Sequence, residues 1–85
     1  MQKFSYTITD EIGLHARPAG ELVKVAQKFG SKVTLGKDGK TADATRLIAI
    51  MGLGVKKGDA LEVCVEGADE VDAAAELKKF FSANL

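Results

Sequence analysis

The 85-residue sequence contains one cysteine, one histidine, one proline, one tyrosine and no tryptophan. A single thiol, Cys64, cannot close an intramolecular disulfide. With one histidine for company it cannot assemble a zinc site either. An excess of charge of one sign is also missing, because twelve Lys and Arg balance twelve Asp and Glu. Nucleic acid and anionic membranes both demand a cationic footprint, so neither is expected as the main partner. No apolar run approaches the ~20 residues that span a bilayer. The start, Met1-Gln2-Lys3-Phe4-Ser5-Tyr6, lacks the apolar stretch of a secretory signal. The expectation is a reduced, cytoplasmic protein with no metal and no cofactor. What is present is globular in character: 46% of the residues are apolar and 28% charged, which suits one domain over residues 1–85. No linker, low-complexity tract or internal repeat interrupts it.

Periodicity orders the elements. Phe4, Tyr6 and Ile8 alternate with Ser5, Thr7 and Thr9, the period of a strand. From Pro18 the spacing turns helical, with Ala19, Leu22, Val23, Ala26 and Phe29 on one face and Glu21, Lys24, Gln27 and Lys28 on the other. Gly30 reads as the helix stop. Val33 and Leu35 mark a second strand, and Asp38-Gly39 is a hairpin signal leading to a weak edge strand near Thr41 to Ala44. Thr45 reads as the N-cap of a short helix from Leu47 to Met51, ended by Gly52 and Gly54. Leu61, Val63 and Val65 alternate with Glu62, Cys64 and Glu66 in the clearest strand. Asp69 reads as the N-cap of a last helix with Val71, Ala74, Leu77 and Phe81 as its apolar stripe. The order β-α-β-β-α-β-α predicts an α+β fold, a two-layer open-faced sandwich. Three helices cover one face of a four-stranded antiparallel sheet. The polar outer face carries Ser5, Thr7, Thr34, Glu62, Cys64 and Glu66, so Cys64 is expected as a structural thiol.

The segment Gly13-Leu14-His15-Ala16-Arg17-Pro18-Ala19 concentrates the chemistry. Pro18 has a fixed φ and no N–H, which suits the first turn of a helix. That puts His15 and Arg17 at a helix mouth, where free N–H groups and the positive dipole end favour an anion. Neutral imidazole is a nucleophile near pH 7, and a guanidinium binds phosphate oxygens in a fork. The candidate amides are those of Ala16, Arg17, Ala19 and Gly20, and Gly20 keeps side-chain bulk off the mouth. Spacing alone also admits a plain reading, in which His15 is a bystander or N-cap and Arg17 an ordinary surface charge.

Gly-Leu-His-Ala-Arg-Pro-Ala resembles the active-site signature of HPr, the histidine-containing phosphocarrier of the bacterial sugar phosphotransferase system. The resemblance extends to the length, the element order, the Asp38-Gly39 hairpin, Met51-Gly52-Leu53-Gly54-Val55 and Glu66-Gly67-Ala68-Asp69-Glu70. It implies that His15 accepts a phosphoryl group on Nδ1 from phosphorylated enzyme I, itself charged from phosphoenolpyruvate. It further implies that His15 passes the group to a histidine of an enzyme IIA protein. Arg17 would orient the group and Pro18 would fix the helix start. Such a chain is a stoichiometric carrier, not an enzyme, and a monomer is expected. A carrier of the related nitrogen branch, a regulatory binding module on the same fold and a small acylphosphatase-like hydrolase are the alternatives. The hydrolase is weakened by the extra C-terminal helix and the lack of a second polar catalytic group near Arg17.

The short helix Leu47-Ile48-Ala49-Ile50-Met51-Gly52-Leu53 is apolar nearly all round, so either it is wholly core or part of it forms an exposed patch. Helical geometry groups Ile50 with Leu53 for the core and leaves Leu47, Ile48 and Met51 for the surface. The resemblance makes that surface the docking site for both partners. Lys24, Lys28 and Arg17 could add a basic rim suited to acidic partners, or the two lysines could be a solvated helix face. Many HPr proteins carry a regulatory serine where this chain has Arg46. Arg46 has no hydroxyl to phosphorylate and could instead strengthen contact with an acidic partner.

Overall fold

Alternation of apolar and polar side chains builds the sheet of the computed structural model, which describes residues 1–85. Its strands are β1 (Gln2–Thr7), β2 (Lys32–Lys37), β3 (Lys40–Asp43) and β4 (Ala60–Glu66). They lie in the order β1-β4-β2-β3 with every neighbouring pair antiparallel. The β2–β3 turn places Asp38 and Gly39 at positive φ, as a tight hairpin requires. Val33, Leu35, Leu61, Val63 and Val65 point from the two central strands to one face and are buried. Ser5, Glu62 and Lys32 face the other side and are exposed, with Cys64 half-buried among them.

Helices α1 (Ala16–Gln27), α2 (Leu47–Gly52) and α3 (Glu70–Asn84) follow the strands in the order β1-α1-β2-β3-α2-β4-α3. Leu22 and Ala26 of α1, Ile50 of α2, and Leu77 and Phe81 of α3 join the strand side chains in one core cluster of 20 buried residues. Phe81 anchors it, stacked on Tyr6 with Phe4 and Phe80 packed edge-on. No helix is long and apolar enough to cross a membrane. No group of three or more metal-capable side chains comes together.

The structure corrects the sequence reading of the helices in five places. Helix α1 begins at Ala16, two residues before the expected start, with His15 at the N-cap position. Pro18 is therefore the third helical residue, which costs nothing, because the first N–H groups of a helix have no intrahelical acceptor anyway. Gly30 does not stop α1; the last turn tightens through Lys28 N–H to Val25 O and Phe29 N–H to Ala26 O. Thr45 is not the cap of α2. Its N–H and Oγ1 both donate to the Asp43 carboxylate, at 2.9 and 2.6 Å, and Arg46 takes the N-cap position. Asp69 does occupy the N-cap of α3 but makes no side-chain cap bond. Its carboxylate accepts from the Gly30 and Ser31 amides and the Ser31 hydroxyl instead. Val71 is 65% exposed and lies outside the α3 stripe, whose buried members are Ala73, Ala74, Leu77 and Phe81.

Candidate functional site

Close approach between two loops sets the mouth of α1. Gly13 has φ +83°, and a Cβ there would sit 2.6 Å from the Val55 carbonyl oxygen. Only glycine combines that backbone with that approach. The next residue, Leu14, is buried and donates its N–H to Val55 O at 3.1 Å. The loop carrying His15 is thereby fastened to the segment that follows α2. A second fastening holds that segment: Lys37 Nζ donates to Gly54 O at 2.7 Å and pairs with Asp59 at 2.8 Å. Lys37 and the Lys56 amide hold the Asp59 carboxyl below the usual carboxylate range.

His15 is half-buried and its backbone is extended, φ −91° and ψ −176°. Its carbonyl accepts the Ala19 N–H at 2.9 Å. That occupies one of the four expected amides, and Gly20 lies a turn inside the helix ladder. The N–H groups of Ala16 and Arg17 remain without a protein acceptor, as does the imidazole of His15. Pro18 has no N–H to offer. No acidic residue stands in the first turn of α1, so the positive end of the helix is open to an external anion.

His15, Arg17 and Pro18 line a shallow concavity of about 240 Å³ together with Asp10, Glu21 and Asn84. Arg17 reaches outward, its side chain 87% exposed and its Nε 4.0 Å from Glu21 Oε1. Glu21 was legible as an i+4 neighbour of Arg17, although sequence reasoning placed it only on the polar face. Asp10 and Asn84 carried no sequence signal, because they come from opposite ends of the chain. They meet because the Leu85 carbonyl accepts the N–H groups of Thr9 and Asp10, at 2.6 and 2.9 Å.

The remaining candidates divide. Leu47, Ile48 and Met51 are exposed on α2, Ile48 at 87%, while Ile50 and Leu53 are buried. Helix α2 packs on α1. Gly20 is half-buried, and a Cβ added there would meet nothing within 4 Å. Lys24 and Arg46 are exposed and form no ion pair, but Lys28 is engaged with Glu76 at 3.1 Å. The basic rim is therefore smaller than the sequence suggested. Ile12, 69% exposed in the loop before His15, was not singled out in the sequence.

Phosphate chemistry fits this arrangement: an unpartnered imidazole and a guanidinium line one open concavity, and two amides without acceptors stand at the helix start beside them. Comparison with known proteins agrees. Residues 2–83 match the family described as the HPr component phosphorylation site of the phosphotransferase system. An HPr from Thermoanaerobacter tengcongensis is 36% identical and superposes with a TM-score of 0.93 over 98% of this chain and 93% of its own. The histidine-containing phosphocarrier protein of Mycoplasma is 35% identical, with a TM-score of 0.90 over 93% and 90% of the two chains. The Bacillus subtilis catabolite repression protein Crh, a domain-swapped dimer, is 32% identical, with a TM-score of 0.78 over 100% and 98%. The chain belongs to the HPr family, whose proteins are phosphocarriers of the phosphotransferase system rather than free-standing catalysts.

Proposed function

We propose that this chain carries a phosphoryl group on His15 from enzyme I to enzyme IIA proteins in sugar uptake, working as a monomer. The Nδ1 lone pair of the Nε2-protonated imidazole forms the new N–P bond. The donor's bond to phosphorus breaks, and its electron pair stays with the donor. Onward transfer reverses these roles, with the acceptor histidine of enzyme IIA as nucleophile. The Ala16 and Arg17 amides receive phosphate oxygens, and Arg17 turns its fork onto the same group, with charge-assisted bonds that outweigh neutral ones. Leu47, Ile48 and Met51 form the apolar docking patch beside the site, and Arg46, Lys24 and Gly20 complete its rim. Charges placed this way speed the encounter with an acidic partner more than they tighten it. A site this open excludes no water by itself, so each partner supplies that shielding when it docks.

The observation that carries this reading is the unpartnered His15 imidazole beside two open amides, at a helix start that lacks any acidic residue. Whole-chain likeness alone would serve the regulatory reading as well, because it extends to Crh at 32% identity. The test is incubation with enzyme I and phosphoenolpyruvate. An acid-labile, base-stable phosphoryl group is expected on the wild-type chain and none on His15→Ala. A label that survives the substitution overturns the assignment, and steady phosphate release without a partner identifies a hydrolase instead.

A further inference from the structure

The α1 mouth holds one charge that phosphate binding does not call for. Glu21 lines the same concavity as His15 and Arg17, and its carboxylate is the only ion-pair partner of Arg17. A carboxylate beside a phosphate site works against the incoming anion, and Asp10 already places one there. Asp10 has a local duty, since its Oδ1 accepts the Ile12 N–H at 2.8 Å and shapes the loop. Glu21 has none: it accepts no hydrogen bond and its side chain is half exposed. The pair also runs against helix physics. An acidic residue N-terminal to a basic one is the better i,i+4 order, and a cation in the first turn opposes the macrodipole. Stability therefore gives only a weak reason for Arg17 and Glu21 to stand as they do.

We propose that Glu21 is a positioning residue that parks Arg17 while His15 is unphosphorylated and competes with the phosphoryl group for it afterwards. The proposal rests on the carrier reading of His15 and Arg17. At 4.0 Å and high exposure the pair is loose, as a parking contact must be. A phosphoryl group carries up to about two negative charges near neutral pH, so it takes the guanidinium from a single carboxylate. When the group leaves for the next protein, Glu21 is the acceptor to which Arg17 returns. Competition of this kind weakens binding of free phosphate and raises the tendency of phosphorylated His15 to give its group away. A carrier needs both properties, because it must release what it accepts and must not be blocked by phosphate in solution.

The test has two readouts. Inorganic phosphate is titrated against wild type and Glu21→Gln, following the Ala16 and Arg17 amide signals by NMR. Separately, the fraction of chain phosphorylated is measured at equilibrium with enzyme I and a fixed ratio of phosphoenolpyruvate to pyruvate. Exposed ion pairs contribute at most about a fivefold factor in an equilibrium. Glu21→Gln is therefore expected to bind phosphate about two- to fivefold more tightly and to shift the phosphorylation equilibrium toward the carrier by a similar factor. In an Arg17→Ala background the same substitution is expected to change both clearly less, because only the direct repulsion by Glu21 remains once the competition for Arg17 is gone. Unchanged phosphate affinity in Glu21→Gln overturns the proposal. So does an effect of the same size without Arg17, which would mean a general charge effect. Failure of the carrier reading looks different: the wild-type chain would take no phosphoryl group from enzyme I, while the phosphate titration would still report on Glu21.

Discussion

Two helix starts in this molecule, neither with a side-chain cap bond, carry opposite charge. At the start of α3 carboxylates stand at the positive pole, Glu70 and Asp72 in the first turn, and the flanking residues hold the neighbouring loop. Asp69 accepts the Gly30 and Ser31 amides at 2.9 Å each and also the Ser31 hydroxyl, and the Gly67 amide reaches Glu70 at 3.2 Å. At the start of α1 the N-cap is a histidine that makes no cap bond, the first turn has no acid, and a cation stands at the positive pole. Serine or aspartate at position 15 would stabilise α1 by about 1 kcal/mol. The sequence places acidic residues, Glu70 and Asp72, in the first turn of α3 and withholds them from α1. Closure serves the fold, and openness serves chemistry, because donors without acceptors are available to a transferred group.

That contrast makes the two regions separable by substitution. Arg17→Ala is expected to slow transfer from enzyme I about 10- to 150-fold, the equivalent of one hydrogen bond to a charged group at roughly 1.5–3 kcal/mol. Its unfolding free energy should move by less than about 1 kcal/mol, because an exposed charge at a helix mouth contributes little. Stopped transfer kinetics and urea unfolding on one preparation check both. Equal losses in barrier and stability would erase the distinction between the two regions. Gly67→Ala should do the reverse. Its φ is +154°, and a Cβ would lie 2.6 Å from Ser31 Oγ and 2.7 Å from Ser31 Cα. A destabilisation of about 1–3 kcal/mol is expected, measured by the urea midpoint. The transfer rate of the folded fraction should be unchanged, since Ser31 and Gly67 do not line the concavity at His15.

The sequence made most of this fold legible where one local pattern decided the outcome. Strict alternation marked β4, and Asp38-Gly39 marked the hairpin, because side-chain parity and positive φ are properties of neighbouring residues. Helical spacing likewise separated Ile50 and Leu53 from Leu47, Ile48 and Met51. Reading failed where a competing polar partner intervened. Asp69 looked like a cap, but the loop at Gly30 and Ser31 lies within reach of its carboxylate and captures it. Thr45 looked like a cap, but Asp43 at the end of β3 holds its hydroxyl first. Val71 failed for a geometric reason: at 100° per residue it lies about 120° around α3 from Leu77, beyond the buried stripe. At the candidate site, His15, Arg17 and Pro18 stood out because they are adjacent in sequence. Asp10 and Asn84 were invisible because only the closed fold brings residues 74 positions apart into one concavity.

Acid offers the mildest way to probe the satisfied end of the comparison. The Ser31 hydroxyl, with the Gly30 and Ser31 amides, holds the Asp69 carboxyl below its usual range. The folded chain therefore binds that proton less readily than the unfolded chain does. The stabilisation is complete above the unfolded value, about 3.9 for aspartate, and is lost as pH falls through the lower folded value. Asp43, held down by the Thr45 hydroxyl, and Asp59, held down by Lys37, act with the same sign. The melting temperature should accordingly stay level from pH 7 to 5 and fall below about pH 4. Ser31→Ala removes the largest cause at Asp69. Its melting temperature should be lower at neutral pH, and the gap to wild type should narrow in acid as Asp69 becomes protonated in both. A gap that stays constant over that range would show that Ser31 stabilises by packing alone. Transfer from enzyme I at neutral pH should be the same for both chains, because the α1 mouth does not share these donors.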